Sequence, residues 1–152
     1  MEPVVHLNYD LNKKLLLEQA KEAKQQSQPY TDGRYPDLKL DDWSIGHYTS
    51  DYINQIMQDF EVEGRPRFYW LKPFAEIPEH VDNNTTCSLN FILTDNPAPI
   101  TIQGAEYLYT QILLDTTKPH CVKNNNTERI MLKISIFDES FNDLSKRIRY
   151  AS

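Results

Sequence analysis

Apolar positions follow two different periods along this chain, and the change falls near residue 65. Upstream, Leu11, Leu15, Leu16, Ala20 and Ala23 recur at helical spacing, which predicts a helix capped by Asp10 and stopped by Ser27-Gln28-Pro29. Residues 30–48 are rich in Asp, Gly, Pro and Tyr and read as an ordered loop. Ile53, Ile56, Met57 and Phe60 predict a second helix from about Ser50, ended by Gly64-Arg65-Pro66. Downstream the period becomes two. Strands are expected over Arg67–Leu71, over 86–94 with Cys87, Leu89, Phe91 and Leu93 on one face, at Ile100–Ile102, over Tyr107–Leu114 with Gly104 marking the turn before it, and around His120–Val122.

Arg129 to Phe137 alternates most cleanly. Ile130, Leu132, Ile134 and Ile136 make an aliphatic face suited to packing on helices or an opposing wall. Arg129, Met131, Lys133 and Ser135 make the other face, which suits a polar pocket inside a barrel. A short terminal helix is expected from about Glu139. Helices followed by many short strands indicate an α+β, mainly β protein in which the strands close into a sandwich or barrel. A length of 152 residues suits a single domain. Its expected parts are a helical and loop region over 1–65, a β core over 66–137 and a C-terminal helix over 138–152.

Composition narrows the function classes. With 39% hydrophobic and 25% charged residues the chain reads as globular, and no apolar run reaches the roughly 20 residues of a membrane helix. The first residues have neither the basic start nor the apolar stretch of a signal peptide, so a cytoplasmic location is expected. A net charge of −6 disfavours nucleic acid as a partner. The one basic cluster, Lys146, Arg147 and Arg149, reads as a solvated helix end. Cys87 and Cys121 are too few for a disulfide scaffold and fit a reducing compartment. Asn-x-Thr triplets at 83–85, 84–86 and 125–127 read as turn chemistry. Oligomeric state is not legible.

Chemistry concentrates in the β half. His80-Val81-Asp82 precedes His120 by forty residues, and Arg129 follows nine later. Two imidazoles and one carboxylate can occupy one face of an octahedral Fe(II) and leave three positions for a chelating co-substrate and dioxygen. An arginine past the second histidine can clamp the far carboxylate of that co-substrate with a two-pronged hydrogen bond. In an extended segment His80 and Asp82 share a face. The spacing alone leaves other readings open: H-x-D tripeptides arise by chance, and solitary histidines such as His6 and His47 are ordinarily surface residues.

The stretches Leu71-Lys72-Pro73-Phe74-Ala75-Glu76-Ile77-Pro78-Glu79-His80-Val81-Asp82 and His120-Cys121-Val122-Lys123-Asn124 through Glu128-Arg129-Ile130-Met131-Leu132 resemble the core of the aspartyl/asparaginyl β-hydroxylase family, within the 2-oxoglutarate oxygenase superfamily. The resemblance covers about residues 67–137. It implies a double-stranded β-helix (jelly-roll) core, Fe(II) and 2-oxoglutarate as cofactors, His80, Asp82 and His120 as iron ligands, and Arg129 as the 2-oxoglutarate anchor. Tyr69 stands where a hydroxyl commonly meets the co-substrate. There are departures. Phe74 replaces the family's usual glycine, which implies a narrower approach to the site. Ser88, Asn90 and Ile92 fill the stretch where a second basic residue often faces the co-substrate, leaving Asn90 as the candidate donor.

The implied activity is oxidative decarboxylation of 2-oxoglutarate to succinate and CO2, coupled to hydroxylation of a C–H bond in an amino-acid or peptide/protein side chain. Cys121 follows a candidate ligand and should point into the core. Tyr30, Tyr35, Trp43 and Tyr48 make the 30–48 loop aromatic enough to line an entrance as a lid or to lie as a static cover. Two alternatives stand beside the oxygenase: a cupin-like jelly roll that binds metal or ligand without turnover, and a structural β-sandwich with incidental histidines.

Overall fold

The computed structural model of the chain describes residues 2–25, 28–29, 42–82, 84–96 and 98–152. Tyr30, Tyr35 and the rest of the segment expected as a lid or cover up to residue 41 lie outside these, as do Ser27 and Asn83. The elements in order are β1 (Val4–His6), α1 (Lys13–Lys24), β2 (Gln28–Pro29), β3 (Trp43–His47), α2 (Asp51–Phe60), β4 (Arg65–Leu71), β5 (Glu76–His80), β6 (Cys87–Ile92), β7 (Ile100–Ile102), β8 (Ala105–Tyr107), β9 (Gln111–Leu114), β10 (His120–Lys123), β11 (Arg129–Ile136) and α3 (Phe141–Arg147). The strands form two sheets, ordered β1-β9-β6-β11-β4-β3-β2 and β5-β10-β7-β8, with every recorded pairing antiparallel.

Strand β11 lies between β6 and β4 at the centre of the larger sheet, and its two faces divide the molecule. Ile130, Leu132, Ile134 and Ile136 pack with Phe68, Trp70, Leu89, Phe91 and Leu113 against Leu16 and Ala20 of α1, Ile53, Ile56 and Phe60 of α2, and Phe141 and Leu144 of α3. Each such Leu, Ile or Phe side chain, fully buried, contributes about 1.5–3 kcal/mol of transfer free energy, so this layer anchors the sheet. Met131 turns the other way and joins Tyr69, Leu71, Ile92, Ile112 and Leu114 against Ile77, Ile100, Ile102 and Val122 of the smaller sheet. Two sheets facing each other over that second core make the jelly roll, a double-stranded β-helix with its helices on the outside of one wall.

Several expected boundaries are corrected. Asn12, not Asp10, caps α1, its Oδ1 accepting from Leu15 N at 3.1 Å. Ser50 caps α2 as expected, but that helix ends at Phe60 with Glu61 in the left-handed conformation (φ 56°), ahead of Gly64-Arg65-Pro66. Gly64 is required there, because a Cβ would come within 2.7 Å of Ile134 Cγ2 and 2.8 Å of Ser135 O. The region up to residue 65 also contributes β1, β2 and β3 to the sheet, and Trp43 is buried in a strand rather than placed in a loop. The strand expected over 107–114 is two strands in different sheets, interrupted at Leu108-Tyr109-Thr110. No helix among the described residues is long and apolar enough to cross a membrane.

Candidate metal centre and its pocket

His80 ends β5 and His120 opens β10, and the two are direct antiparallel partners. Cross-strand partners present side chains to the same face, so their ring centroids lie 4.4 Å apart. Asp82, two residues beyond His80, returns its carboxylate to the same point. Its Oδ1 lies 3.2 Å from His80 Nε2 and 3.3 Å from His120 Nε2. One ligand atom from each of the three lies within 4.8 Å of the others.

The rings are aimed by backbone. His80 Nδ1 donates to Pro78 O at 2.7 Å and His120 Nδ1 donates to Lys118 O at 2.8 Å. A carbonyl only accepts, so Nδ1 carries a proton in both rings and Nε2 is the atom each ring turns to the cluster. Metal-binding histidines are oriented in this way. The second carboxylate oxygen of Asp82 is held separately, accepting from Lys133 Nζ at 2.6 Å. Burial would raise the Asp82 carboxyl, but the hydrogen bonds from His120 and His80 and the Lys133 ammonium outweigh it and hold it well below the usual carboxylate range. Burial would likewise lower Lys133, and Tyr69 and Asp82 reverse that, so the ammonium persists.

Arg129 sits in the wall of the same cavity, of about 240 Å³, and is 1% exposed. Nη1 donates to Ala98 O at 2.7 Å and Asn96 Oδ1 at 3.2 Å, and Nη2 donates to Tyr109 OH at 3.1 Å. Asn96 is fixed in turn by Asn124, whose Oδ1 accepts from Asn96 Nδ2 at 2.8 Å. These bonds use three of the five guanidinium N–H groups. No carboxylate pairs with Arg129 among the described residues. A buried cation without a counter-ion costs several kcal/mol, so its two spare donors and its charge favour an anion in the cavity.

The other sequence candidates also line the cavity. Tyr69 is buried, with Arg67 and Lys133 over its ring at 5.5 and 5.7 Å. Asn90 is buried, and its Oδ1 accepts from Ser88 Oγ at 2.8 Å. The register partner of Asn90 on β11 is Lys133, a cation of the kind β6 lacks, and it is bonded to Asp82. Arg65, Arg67 and Tyr109 also line the cavity and were not singled out in the sequence. Alternation along β4 places both arginines on the face of Tyr69, which was the available signal.

Two expectations are corrected. Phe74 does not narrow the approach: it is 71% exposed, is not part of the cavity wall, and keeps the positive φ (63°) that a glycine would adopt. Cys121 is half-buried at the cavity rather than in the core, because the β10–β5 register shifts between His120 and Val122. His6 and His47 are exposed, as expected for solitary histidines. At 125–127 the turn reading holds, with Asn125 Oδ1 accepting from Thr127 N at 3.1 Å.

No protein-family model matches the sequence, and no curated protein matches it. Solved structures do resemble it. A prolyl-4-hydroxylase from Pseudomonas putida aligns over 92% of this chain and 95% of its own, with a TM-score of 0.68 and 13% identity. A prolyl hydroxylase from Trichoplax adhaerens, in complex with a hypoxia inducible factor peptide fragment, aligns over 96% and 86% (TM-score 0.68, 12% identity). The viral collagen prolyl hydroxylase from Paramecium bursaria Chlorella virus-1, as its 2-oxoglutarate complex, aligns over 89% and 96% (TM-score 0.64, 10% identity). At these identities the likeness is one of fold: the chain is a double-stranded β-helix built like those of prolyl hydroxylases.

Proposed function

We propose that this protein is an Fe(II)- and 2-oxoglutarate-dependent dioxygenase that hydroxylates a C–H bond of an amino-acid or peptide/protein side chain. The observation that carries the reading is the pairing of two features in one cavity. His80, Asp82 and His120 converge with both Nε2 atoms inward, and Arg129 is buried there with no counter-ion among the described residues. The fold likeness to prolyl hydroxylases, one a 2-oxoglutarate complex and one bound to a peptide, supports it. The motifs resemble aspartyl/asparaginyl β-hydroxylases, and the proposal covers what both groups share.

The donor set fits the metal: two neutral imidazoles and one carboxylate, on one side of the ion, suit Fe(II) with open positions. When bound, iron with 2-oxoglutarate would supply the oxidising chemistry of hydroxylation, with succinate and CO2 as co-products. The chain's own groups do the rest. His80 and His120 are each held by an Nδ1 hydrogen bond to backbone and present Nε2. Lys133 occupies Asp82 Oδ2 and leaves Oδ1 as the ligating oxygen. Arg129 offers its two spare N–H groups to the distal carboxylate, with Tyr109 and Asn96 holding its plane. Tyr69, Met131 and Ile100 line the space and limit water.

The test is anaerobic addition of Fe(II) and 2-oxoglutarate, following the weak visible charge-transfer band of the chelate, on wild type and His120→Ala. The band is expected in wild type alone, and admission of air should then yield succinate. Equal bands in both proteins would reject the ligand assignment. A band without succinate would favour the cupin-like module that binds without turnover.

A further inference from the structure

The cavity carries more positive charge than a metal and one dicarboxylate require. Arg65, Arg67, Arg129 and Lys133 line it against one carboxylate among the described residues, that of Asp82, in a chain whose net charge is −6. Lys133 is committed to Asp82 and Arg129 to the proposed co-substrate. Arg65 and Arg67 are left over. Neither pairs with a carboxylate among the described residues. Arg67 donates to Ser135 Oγ at a long 3.4 Å, lies over the Tyr69 ring, and has a buried Nε without an acceptor. Arg65 is over Phe137 at 5.3 Å.

Register puts this pair away from Arg129. Along β11 and β4 the cavity-facing partners run Arg129–Leu71, Met131–Tyr69, Lys133–Arg67 and Ser135–Arg65. Arg129 and Lys133 are separated by four residues, roughly 13 Å of strand, and Lys133 is the one that touches the triad. A co-substrate reaching from the triad to Arg129 therefore extends away from Arg65. The space beyond the triad on the other side is walled by the two spare arginines. Among the described residues no carboxylate pairs off their mutual repulsion: burial and then Arg67 depress Arg65, and burial followed by Arg67 and Arg65 lowers His47, the neighbour of Arg67 on β3.

We infer that Arg67 and Arg65 form a second anion site, which binds a carboxylate of the substrate and holds its C–H bond over the triad. This rests on the oxygenase reading and adds a substrate class to it: the side chain or small molecule that enters is anionic. The carboxylate has two possible sources, an acidic side chain of a peptide or the α-carboxylate of a free amino acid. The cavity is small, and at about 30 Å³ per water molecule it holds the equivalent of about eight waters. One projecting group beside the co-substrate fills it.

The test is calorimetric titration of the anaerobic protein loaded with Fe(II) and 2-oxoglutarate. The probes are a capped tripeptide centred on Glu, the same tripeptide centred on Gln, and free L-glutamine. In wild type the Glu peptide or free glutamine should bind at least tenfold more tightly than the capped Gln peptide, and whichever does names the source. In Arg67→Gln that preference should fall below about twofold, with 2-oxoglutarate affinity changed less than twofold. Arg65→Gln, at an exposed position, should reduce the preference several-fold and keeps the test decisive if Arg67→Gln is poorly folded. Equal binding of all three probes to a wild type that takes up 2-oxoglutarate would overturn the second site and leave the oxygenase reading intact. Loss of 2-oxoglutarate binding in Arg67→Gln would assign these arginines to the co-substrate instead. No uptake of 2-oxoglutarate by wild type would remove the oxygenase reading and this inference together.

Discussion

Replacing Arg129 by Met separates a binding role from a structural one. Arg129 is 1% exposed and spends three N–H groups on Asn96 Oδ1, Ala98 O and Tyr109 OH. Methionine fills much of the same volume and removes a buried charge whose desolvation costs several kcal/mol. Against that gain, Ala98 O is left without its donor, at about 1–3 kcal/mol. Asn96 Oδ1 keeps the Ala98 N–H at 3.1 Å, and half-buried Tyr109 can turn to water. The opposing terms nearly cancel, so stability should change by less than about 2 kcal/mol, under about 8 °C in Tm for a chain of this size. Co-substrate binding should not cancel. Truncating one partner of a buried charge pair costs about 2–5 kcal/mol, roughly thirty-fold to several thousand-fold in affinity. The assay is thermal unfolding under nitrogen with Fe(II), with and without 2-oxoglutarate. At a hundred times Kd the ligand should stabilise wild type by about 2.7 kcal/mol, about 5–11 °C, and Arg129→Met by no more than about 0.9 kcal/mol. An equal ligand-induced rise in both proteins would refute the anchor, and a variant that unfolds below room temperature would make Arg129 a structural residue.

Asp82→Asn strands Lys133 in the wall and should cost about 3–5 kcal/mol in urea unfolding of the metal-free protein, with Asp82→Asn/Lys133→Met recovering most of it; additive losses would deny the coupling. Glu139 is held below the usual carboxylate range by its hydrogen bond to Arg147, at 2.6 Å. Its contribution is therefore present above the unfolded-state pKa of about 4.3 and is lost as pH falls through the lower folded value. Glu139→Gln should cost up to about 1 kcal/mol at pH 7 and nothing at pH 2, and a constant difference across that range would contradict this. Phe74→Gly should raise Tm slightly, since a left-handed non-glycine residue costs about 1–2 kcal/mol, part of it offset by the added freedom of the unfolded chain; a fall in Tm would show that the exposed ring contributes to stability.

The central wall of the barrel was readable because its alternation is long and clean. Along the eight residues of β11, aliphatic side chains face the helices, Arg129, Met131 and Lys133 face the cavity, and Ser135 shares their side of the strand. The grouping of His80, Asp82 and His120 was open to reading through the motif resemblance, since spacing alone left other readings open; their convergence rests on the β5–β10 register. Strand β3 was not, because Trp43-Ser44-Ile45-Gly46-His47 sits in a stretch whose Gly, Asp and Tyr content signals a loop. Its partner β4 supplies what the local sequence lacks. Strand β1 has only three residues and exists through its pairing with β9. The second cation of the wall was sought on β6 and lies one strand over, a relation fixed by register between distant segments. Arg67 shared that fate: nothing local marks a half-buried arginine on a mostly apolar strand as part of a cavity.

The two imidazoles owe their aim to carbonyls only two positions earlier in their own backbones, at Pro78 and Lys118. Each ring thus comes with its own bracket, set within a tripeptide and independent of the rest of the barrel. Slippage of one strand against the other would alter the gap between the rings without turning either away. Nε2 of each ring already faces the place of an ion, so capture needs no ring flip.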